Sequence, residues 1–330
     1  MRALVYEGPE RLAVRDVADP SPREGEAVVR VASVGICGSD MHAFLGHDER
    51  RPAPLTLGHE AAGTIVGGAR DGTRVTINPL VGCGHCRACL KGQPNLCPER
   101  QIISLPPREG AFAEMVAIPE DNLVTVPDEV SFDRASLAEP LACGWHAVRL
   151  AHEHDAEALA GGPCVVIGGG AIGLGAALAL RAFGAGRVVV AEPNALRHDA
   201  IEAAGFEAFD PGGRAPVVDG KAPVVIDAVG YPATRAHACR LAAPGGIICH
   251  IGLGDGEGGI DARRLTLQEI AFQGTYTYTP DDFRETARAI FDGRLGALDW
   301  METRGLEGGA SAFADIRAGR VAAPKIILRP

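Results

Sequence analysis

The chain has 330 residues, of which 46% are hydrophobic, and a formal net charge of −10 at pH 7. This length predicts about two domains with packed cores. The acidic charge argues against a nucleic-acid-binding protein, and the sequence lacks the apolar run of about eighteen residues that a membrane span needs. Residues 1–7 alternate like a strand and lack the apolar stretch of an export signal. We therefore expect a cytoplasmic protein whose nine cysteines are metal ligands or buried side chains.

The first part of the chain is predicted to be rich in short strands. Apolar and polar residues alternate at 27–31, 73–77 and 113–118, between turns rich in glycine, proline and charged residues. Residues 133–150 then have the spacing of a helix. Three motifs in this part contain residue types that bind zinc, although each motif alone is also common in structural positions: G-I-C-G-S-D at 35–40, G-H-E at 58–60 and A-E-P-L-A at 138–142.

Four cysteines form a compact motif with the spacing C-x2-C-x2-C-x7-C: Cys83, Cys86, Cys89 and Cys97. Four thiolates fill the tetrahedral shell of Zn²⁺ and leave no open position, so the motif predicts a structural zinc site. A disulfide framework would require an exported chain. An iron–sulfur cluster is a weaker alternative, because the ferredoxin pattern C-x2-C-x2-C-x3-C-P differs in its last gap.

From about residue 161 onward, strands and helices are predicted to alternate. A continuous apolar strand at 164–167 precedes a helix at 174–183. Further strands are expected at 187–191, 224–227 and 246–251, and further helices at 195–204 and near 234–242. This order predicts a parallel, doubly wound sheet. The connection 211–222 is barely long enough for a crossover and we expect no proper helix there, whereas a helix at 281–291 and a strand at 325–328 end the chain.

A glycine-rich turn, G-G-G-A-I-G at 168–173, matches the dinucleotide-binding pattern G-x-G-x-x-G. The pattern alone is weak, but here it follows a buried strand and opens a helix, as nucleotide binding requires. Gly168 permits the tight turn, Gly170 lets the backbone approach a pyrophosphate, and Gly173 lets the helix pack closely on the strand. Ile172 in the same turn is a further candidate for cofactor binding.

Glu192 lies at the end of the next predicted strand, about twenty residues after the glycine-rich turn. A carboxylate there accepts hydrogen bonds from the adenosine ribose of NAD and repels the 2′-phosphate of NADP. The sequence therefore favours NAD. Arg197, one helical turn further, stacks on the adenine or holds the ribose, the alternative being a solvated helix residue.

Taken together, these motifs resemble those of the zinc-dependent medium-chain alcohol and polyol dehydrogenases, in particular the sorbitol and threonine dehydrogenase branch. The resemblance spans essentially the whole chain. It implies an α/β fold in which a GroES-like, β-rich catalytic domain (1–147 and 290–330) surrounds a Rossmann NAD-binding domain (148–289). It also implies two zinc ions per chain, one catalytic and one structural, and a homodimer or homotetramer.

When the motifs are matched residue by residue, the resemblance implies that Cys37 and His59 bind the catalytic zinc. Glu60 is either a third ligand or moves on and off the metal, and Glu139 either ligates the zinc or holds its water. Ser39 and His42 match the family's proton relay; proton transfer through water to Glu139 or Glu60 is the alternative. Cys143 and His146 follow Glu139 on the same predicted helix, and we expect them to pack.

The implied reaction transfers a hydride from a polyol or secondary alcohol to NAD⁺. Threonine 3-dehydrogenases and butanediol dehydrogenases share nearly all these motifs and remain alternatives. A zinc-free reductase would lack the Cys37–His59–Glu60 set, and a non-catalytic NAD- and zinc-binding protein would need no open metal site. Thr277 stands where many polyol enzymes have arginine, which weakens an assignment to sorbitol. The charged residues 47–51 either recognise a polar or anionic substrate or are solvated.

Overall fold

The chain divides into two compact units, the second inserted into the first. The computed structural model describes residues 1–213, 216–217 and 219–330. The first unit comprises Met1–Glu139, Thr279–Asp292 and Asp299–Pro330, and the second comprises Pro140–Tyr278 and Gly293–Leu298. These bounds differ at their edges from the expected 1–147, 148–289 and 290–330. The helix at 280–291 belongs to the first unit because its Phe291 packs against Val126, Val130 and Ala135.

The part of the first unit before the insertion consists of short strands and helices. They are β1 (Arg2–Gly8), β2 (Arg11–Asp16), β3 (Glu26–Gly35), α1 (Gly38–Phe44), β4 (Leu55–Thr56), β5 (Glu60–Val66), β6 (Arg74–Ile77), β7 (Leu80–Val81), α2 (Arg87–Leu90), β8 (Gln101–Ile102), β9 (Met115–Pro119), β10 (Leu123–Thr125) and α3 (Phe132–Ser136), with 3₁₀ turns at Pro94–Leu96 and Glu120–Asn122. The strands predicted at 27–31, 73–77 and 113–118 coincide with β3, β6 and β9.

The next stretch of chain alternates between helices and strands as expected. It contains α4 (Ala138–His154), α5 (Ala156–Gly161), β11 (Pro163–Ile167), α6 (Ala171–Ala182), β12 (Arg187–Ala191), a 3₁₀ turn (Ala195–Arg197), α7 (His198–Ala203), β13 (Glu207–Phe209), β14 (Ala222–Asp227), α8 (Pro232–Leu241), β15 (Ala242–His250), α9 (Ala262–Leu267) and β16 (Ala271–Gly274). Its strands form one parallel sheet in the order β13-β12-β11-β14-β15-β16. The central strand β11 is apolar throughout because both of its faces are covered.

The structure breaks the helix predicted at 133–150 into two. The single helix expected at 133–150 is wrong: α3 ends at Ser136 and α4 starts at Ala138. Pro140 explains the break, since a proline in the first turn of a helix cannot donate a hydrogen bond to the preceding turn and its ring obstructs that turn. The connection 211–222 includes residues 214, 215 and 218, which lie outside the described residues, so its expected lack of a helix stays a prediction.

The chain then returns to the first unit. The returning elements are α10 (Pro280–Phe291), β17 (Met301–Gly305), a 3₁₀ turn (Leu306–Gly308), α11 (Gly309–Arg317) and β18 (Lys325–Arg329). β18 pairs antiparallel with β3, with Ile327 opposite Gly35, within a sheet ordered β10-β6-β5-β3-β18-β17, and β9 also pairs with β3. The C-terminal strand is therefore next to the end of β3. No helix among the described residues has both the length and the apolar character to cross a membrane.

Candidate functional site

Three side chains with zinc-binding groups meet at one end of the sheet of the first unit. Cys37 follows β3, His59 precedes β5, and Glu60 begins β5 directly opposite Gly35 of β3. This antiparallel pairing places one ligand atom from each residue within 4.8 Å of the other two. A thiolate, an imidazole and a carboxylate are a donor set that Zn²⁺ accepts, so these residues fit the metal implied by the sequence.

Asp40, which the sequence analysis did not select, contacts the backbone and the histidine of this cluster. Its fully buried carboxylate accepts hydrogen bonds from the backbone N–H of Cys37 (3.0 Å) and of Gly58 (3.2 Å), and it lies 3.5 Å from His59 Nδ1. Burial opposes ionisation, but the charges of His59 and Arg51 outweigh it and lower the pKa of Asp40. A carboxylate behind a metal-binding histidine orients its ring.

The pKa of His59 is raised well above its ordinary value. Burial lowers this pKa, but the nearby negative groups of Asp40 and Cys37 have the larger combined effect and raise it. A metal ion that binds the imidazole must displace a proton, so zinc affinity at this cluster should fall as the pH decreases.

Lys325 is the second important residue that the sequence analysis missed. Its Nζ donates to Glu60 Oε1 (2.7 Å), to Glu60 Oε2 (2.6 Å) and to the carbonyl of Ile36 (2.9 Å). Both side chains of this ion pair are buried. Burial lowers the pKa of Lys325, but Glu60, Cys37 and Glu139 together raise it above its ordinary value. One signal was visible in the sequence: Lys325 is one of only three lysines and begins the strand predicted at 325–328, whose other residues are apolar.

The other residues predicted for this site, Ser39, His42 and Glu139, lie in the first unit, whereas Cys143 and His146, which we expected to pack, belong to the second. Glu139 is buried in the first turn of α4; it is outside the three-residue cluster, but its charge reaches Lys325. Ser39 and His42 are three residues apart on α1 and hence share a face of that helix. Further along α4, Cys143 is half-buried, and Nδ1 of the buried His146 accepts a hydrogen bond from Arg149 Nη2 (3.2 Å). The roles assigned to these residues stay predictions.

The charges of the loop 47–51 are largely neutralised by ion pairs within the loop. Asp48 forms ion pairs with both Arg50 (2.8 Å) and Arg51 (2.6 Å). Arg51 points inward and is buried, and its Nε donates to the carbonyl of Ser104 (2.9 Å). Neither expectation for this loop, recognition of an anionic substrate or simple solvation, therefore describes Arg51.

The four-cysteine motif forms a second, separate cluster. The sulfur atoms of Cys83, Cys86, Cys89 and Cys97 all lie within 4.8 Å of one another, and the described cysteines form no disulfide. Backbone N–H groups point at these sulfur atoms, among them Cys86 N to Cys83 Sγ (3.4 Å). Such amides stabilise thiolates, and the amide of His85 contributes most to lowering the pKa of Cys83 to about 6. This cluster fits a closed zinc site.

Replacing Cys97 by serine should release the zinc of this cluster. Cys97 is fully buried, so its loss leaves the ion with three thiolates and an exposed face. We expect metal analysis to fall from two zinc ions per chain to one, and limited proteolysis within 83–97 to accelerate. The control is Cys164→Ser, which changes an equally buried cysteine that belongs to none of the candidate metal-binding groups among the described residues. Retention of two zinc ions by Cys97→Ser would contradict this assignment.

The glycine-rich turn of the second unit has the shape that a pyrophosphate needs. Gly168 has φ +100°, and a Cβ at Gly173 would lie 1.8 Å from the carbonyl oxygen of Gly168. By contrast, a Cβ at Gly170 would meet only Arg197 Nη1, at 3.9 Å. Gly170 caps α6, whose first-turn amides have no side-chain cap, and Ile172 is half-buried in this turn. An open, glycine-lined helix N-terminus fits a phosphate group.

Glu192 lies against this turn. It is nearly fully buried, and its two oxygens accept hydrogen bonds from Gly169 N–H (2.7 Å) and Asn194 N–H (2.8 Å). Arg197 Nη1 is 3.7 Å from Glu192. Its Nε is buried without a hydrogen-bond partner among the residues that the structure describes. Arg197 is thus partly buried between Glu192 and the glycine-rich turn, and its role in cofactor binding stays a prediction.

Comparison with known proteins identifies the family. Residues 23–128 match the alcohol dehydrogenase GroES-like domain, and residues 171–292 match the zinc-binding dehydrogenase family. L-Galactonate-5-dehydrogenase of Escherichia coli K12 is 33% identical over 317 residues, which cover 92% of this chain and 91% of that enzyme. The chain belongs to the zinc-dependent medium-chain alcohol and polyol dehydrogenases.

Two other members of this dehydrogenase family are also similar to the chain. Sorbitol dehydrogenase of Bacillus subtilis 168 is 35% identical over 214 residues, or 62% of this chain and 59% of that enzyme. A zinc-binding dehydrogenase of Sinorhizobium meliloti 1021, solved bound to NADP, is 28% identical, with a TM-score of 0.89 over 100% of this chain and 99% of its own. The predicted fold class, the enzyme class, the zinc and nicotinamide cofactors and a small alcohol or polyol as substrate are thereby confirmed.

Proposed function

We propose that this dehydrogenase transfers a hydride from a secondary hydroxyl group of a polyol or small alcohol to NAD⁺, giving a ketone and NADH. The observation that carries the proposal is the convergence of Cys37, His59 and Glu60 beside the buried Lys325. A zinc-free reductase or a purely structural NAD-binding protein has no need to bury these groups together, since burying charged groups is costly.

The proposal gives each residue of the cluster a role. Cys37 and His59 would hold the catalytic zinc, with Glu60 or Glu139 completing its shell. When bound, the zinc supplies a Lewis acid that makes a substrate hydroxyl more acidic. Asp40 orients His59, and Lys325 balances the negative charge of the ligands. For the released proton, we propose the route through Ser39 and His42, with Glu139 or Glu60 as the alternative base.

The preference for NAD over NADP depends on Glu192. The wild-type protein should have a higher kcat/KM with NAD⁺, because the buried carboxylate repels a 2′-phosphate. In Glu192→Gln the side chain keeps its shape and loses its charge, so activity with NADP⁺ should rise by about tenfold. Steady-state kinetics with both cofactors measure this, with Glu207→Gln as the control at an exposed strand position. A wild-type preference for NADP⁺ would overturn the assignment.

The substrate itself is best found by a turnover screen. The names of the relatives point to sugar acids and sugar alcohols, whereas Thr277, with φ +49°, occupies the position where many polyol enzymes have arginine. We propose to test a panel of sugar alcohols, sugar acids, short diols and threonine, with NADH formation as the measured signal. Turnover of threonine or butanediol alone would favour the alternative dehydrogenases. Absence of NADH across the whole panel would count against the proposed reaction.

Assembly and location belong to the same proposal and are supported only by the family resemblance. We propose a cytoplasmic homodimer or homotetramer. Light scattering coupled to size-exclusion chromatography gives the number of chains, and a monomer at micromolar concentration would contradict the proposed assembly.

A further inference from the structure

Ser104, in the turn after β8, has a backbone conformation that favours glycine. Its φ is +69°, in the left-handed region, and its side chain is completely buried. A residue with a Cβ is uncommon in this region and costs free energy there. Strain of this kind persists when the surrounding structure enforces it, and it is a reason to ask what the side chain does.

The hydroxyl of Ser104 contacts a ligand of the proposed zinc site. Its Oγ lies 3.3 Å from Nδ1 of His59. The backbone of Ser104 is held by Arg51, whose Nε donates to the Ser104 carbonyl (2.9 Å). Arg51 is in turn anchored by Asp48 (2.6 Å). A chain of buried contacts thus runs from the charged loop to His59.

Asp40 alone orients the His59 ring only through a long contact. Its Oδ1 is 3.5 Å from Nδ1, beyond ordinary hydrogen-bond length, and also accepts from Gly58 N–H. Asp40 Oδ2 accepts from Cys37 N–H. The hydroxyl of Ser104 lies at the same ring nitrogen. Because the ionised carboxylate of Asp40 can only accept, a neutral imidazole that satisfies both contacts carries its proton on Nδ1, with the Ser104 hydroxyl as a second acceptor, and Nε2 remains for a metal.

We propose that Ser104 is a positioning residue of the catalytic zinc site: its hydroxyl, held in place by Arg51, fixes the ring orientation and tautomer of His59. The inference rests on the proposed function, since it takes His59 as a zinc ligand. A role limited to shaping the turn does not account for serine, because glycine would adopt the same conformation without strain.

Two variants separate the hydroxyl from the strain. Ser104→Gly removes the hydroxyl and relieves the strain, whereas Ser104→Ala removes the hydroxyl and keeps the strain. In both, a chromogenic chelator should extract the catalytic zinc about tenfold faster than in the wild type, as expected when a contact behind a metal ligand is lost. We also expect kcat to fall while KM for NAD⁺ is unchanged, and Ser104→Gly to unfold at a higher temperature than Ser104→Ala.

The control is Ser33→Ala, which removes another buried hydroxyl, bonded to Asp133 (2.6 Å), and should leave zinc release unchanged. If Ser104→Gly keeps zinc as well as the wild type does, the proposal is overturned, whether or not Ser104→Ala loses it. We expect the two zinc ions to be released in two kinetic phases. The phase of the catalytic site is the one that is missing in Cys37→Ala. If that variant shows both phases, the metal site of the proposed function fails, independently of Ser104.

Discussion

Replacing Lys325 by methionine should destabilise the first unit by about 3–5 kcal/mol, because it leaves the carboxylate of Glu60 buried without its partner. Both side chains are almost inaccessible to solvent, and the ammonium contacts both carboxylate oxygens. Equilibrium unfolding in urea of the metal-free protein measures the loss. Lys221→Met is the matched control: Lys221 is exposed, and its replacement should change stability by less than about 0.5 kcal/mol.

A second variant tests the cause of this loss. In Lys325→Met with Glu60→Gln, no buried charge is left unpaired, so most of the stability should return. A double variant as unstable as Lys325→Met would show that the lysine acts by packing and not by pairing with Glu60.

The stability contributed by Lys325 should not depend on pH near neutrality. Its pKa is raised in the folded protein, so the contribution is fully present below the unfolded-state pKa of about 10.4 and is lost only as the pH rises through the higher folded value. In the double variant Lys325→Met with Glu60→Gln neither charge of the pair remains to titrate, so the difference in unfolding free energy between wild type and this double variant should be constant from about pH 6 to about pH 9. A steep change in that range would assign the effect to another group.

Replacing Cys37 by alanine should abolish alcohol oxidation without unfolding the protein. We expect the zinc content to fall from two ions to one, and kcat/KM to fall at least about a thousandfold, since a Lewis acid contributes several kcal/mol to transition-state stabilisation. Cys37 is only half-buried, so its truncation removes little packing. Metal analysis, circular dichroism and NADH formation test the three parts of this expectation.

Cys249→Ala serves as the control for this experiment. Cys249 is buried in β15 of the second unit, where its Sγ contacts the carbonyl of Ala147 (3.4 Å). This variant should keep both zinc ions and most of the activity. If Cys37→Ala retained full alcohol oxidation, the assignment of the catalytic zinc site would be wrong.

Local sequence patterns were sufficient to predict the four-cysteine cluster and the glycine-rich turn. Cys83, Cys86 and Cys89 are separated by so few residues that the chain itself brings their sulfur atoms together. In the glycine-rich turn, Gly168 is required by its φ of +100°, and Gly173 is required because its Cβ would lie 1.8 Å from the carbonyl oxygen of Gly168 in the same turn. Alternation of apolar strands and helices likewise indicates a parallel sheet without knowledge of distant contacts.

The Cys37–His59–Glu60 cluster is an intermediate case. Each motif was visible in the sequence, but the residues alone did not show that the motifs meet; the family resemblance supplied that expectation. The pairing of Gly35 with Glu60 across β3 and β5 brings them together. A shift of one residue in this register would turn Glu60 to the other face of the sheet, and no single-sequence pattern specifies the register.

Tertiary structure alone decided which groups surround the cluster. Lys325 is 265 positions from Glu60 in the chain and reaches it because β18 pairs with β3. Arg51, read from the sequence as part of a charged loop, is buried against Ser104. A buried charge is tolerated only where a partner of suitable geometry is buried with it. The sequence by itself therefore determined the local metal and nucleotide motifs, whereas the long-range strand pairings determined the charge balance and orientation of the candidate active site.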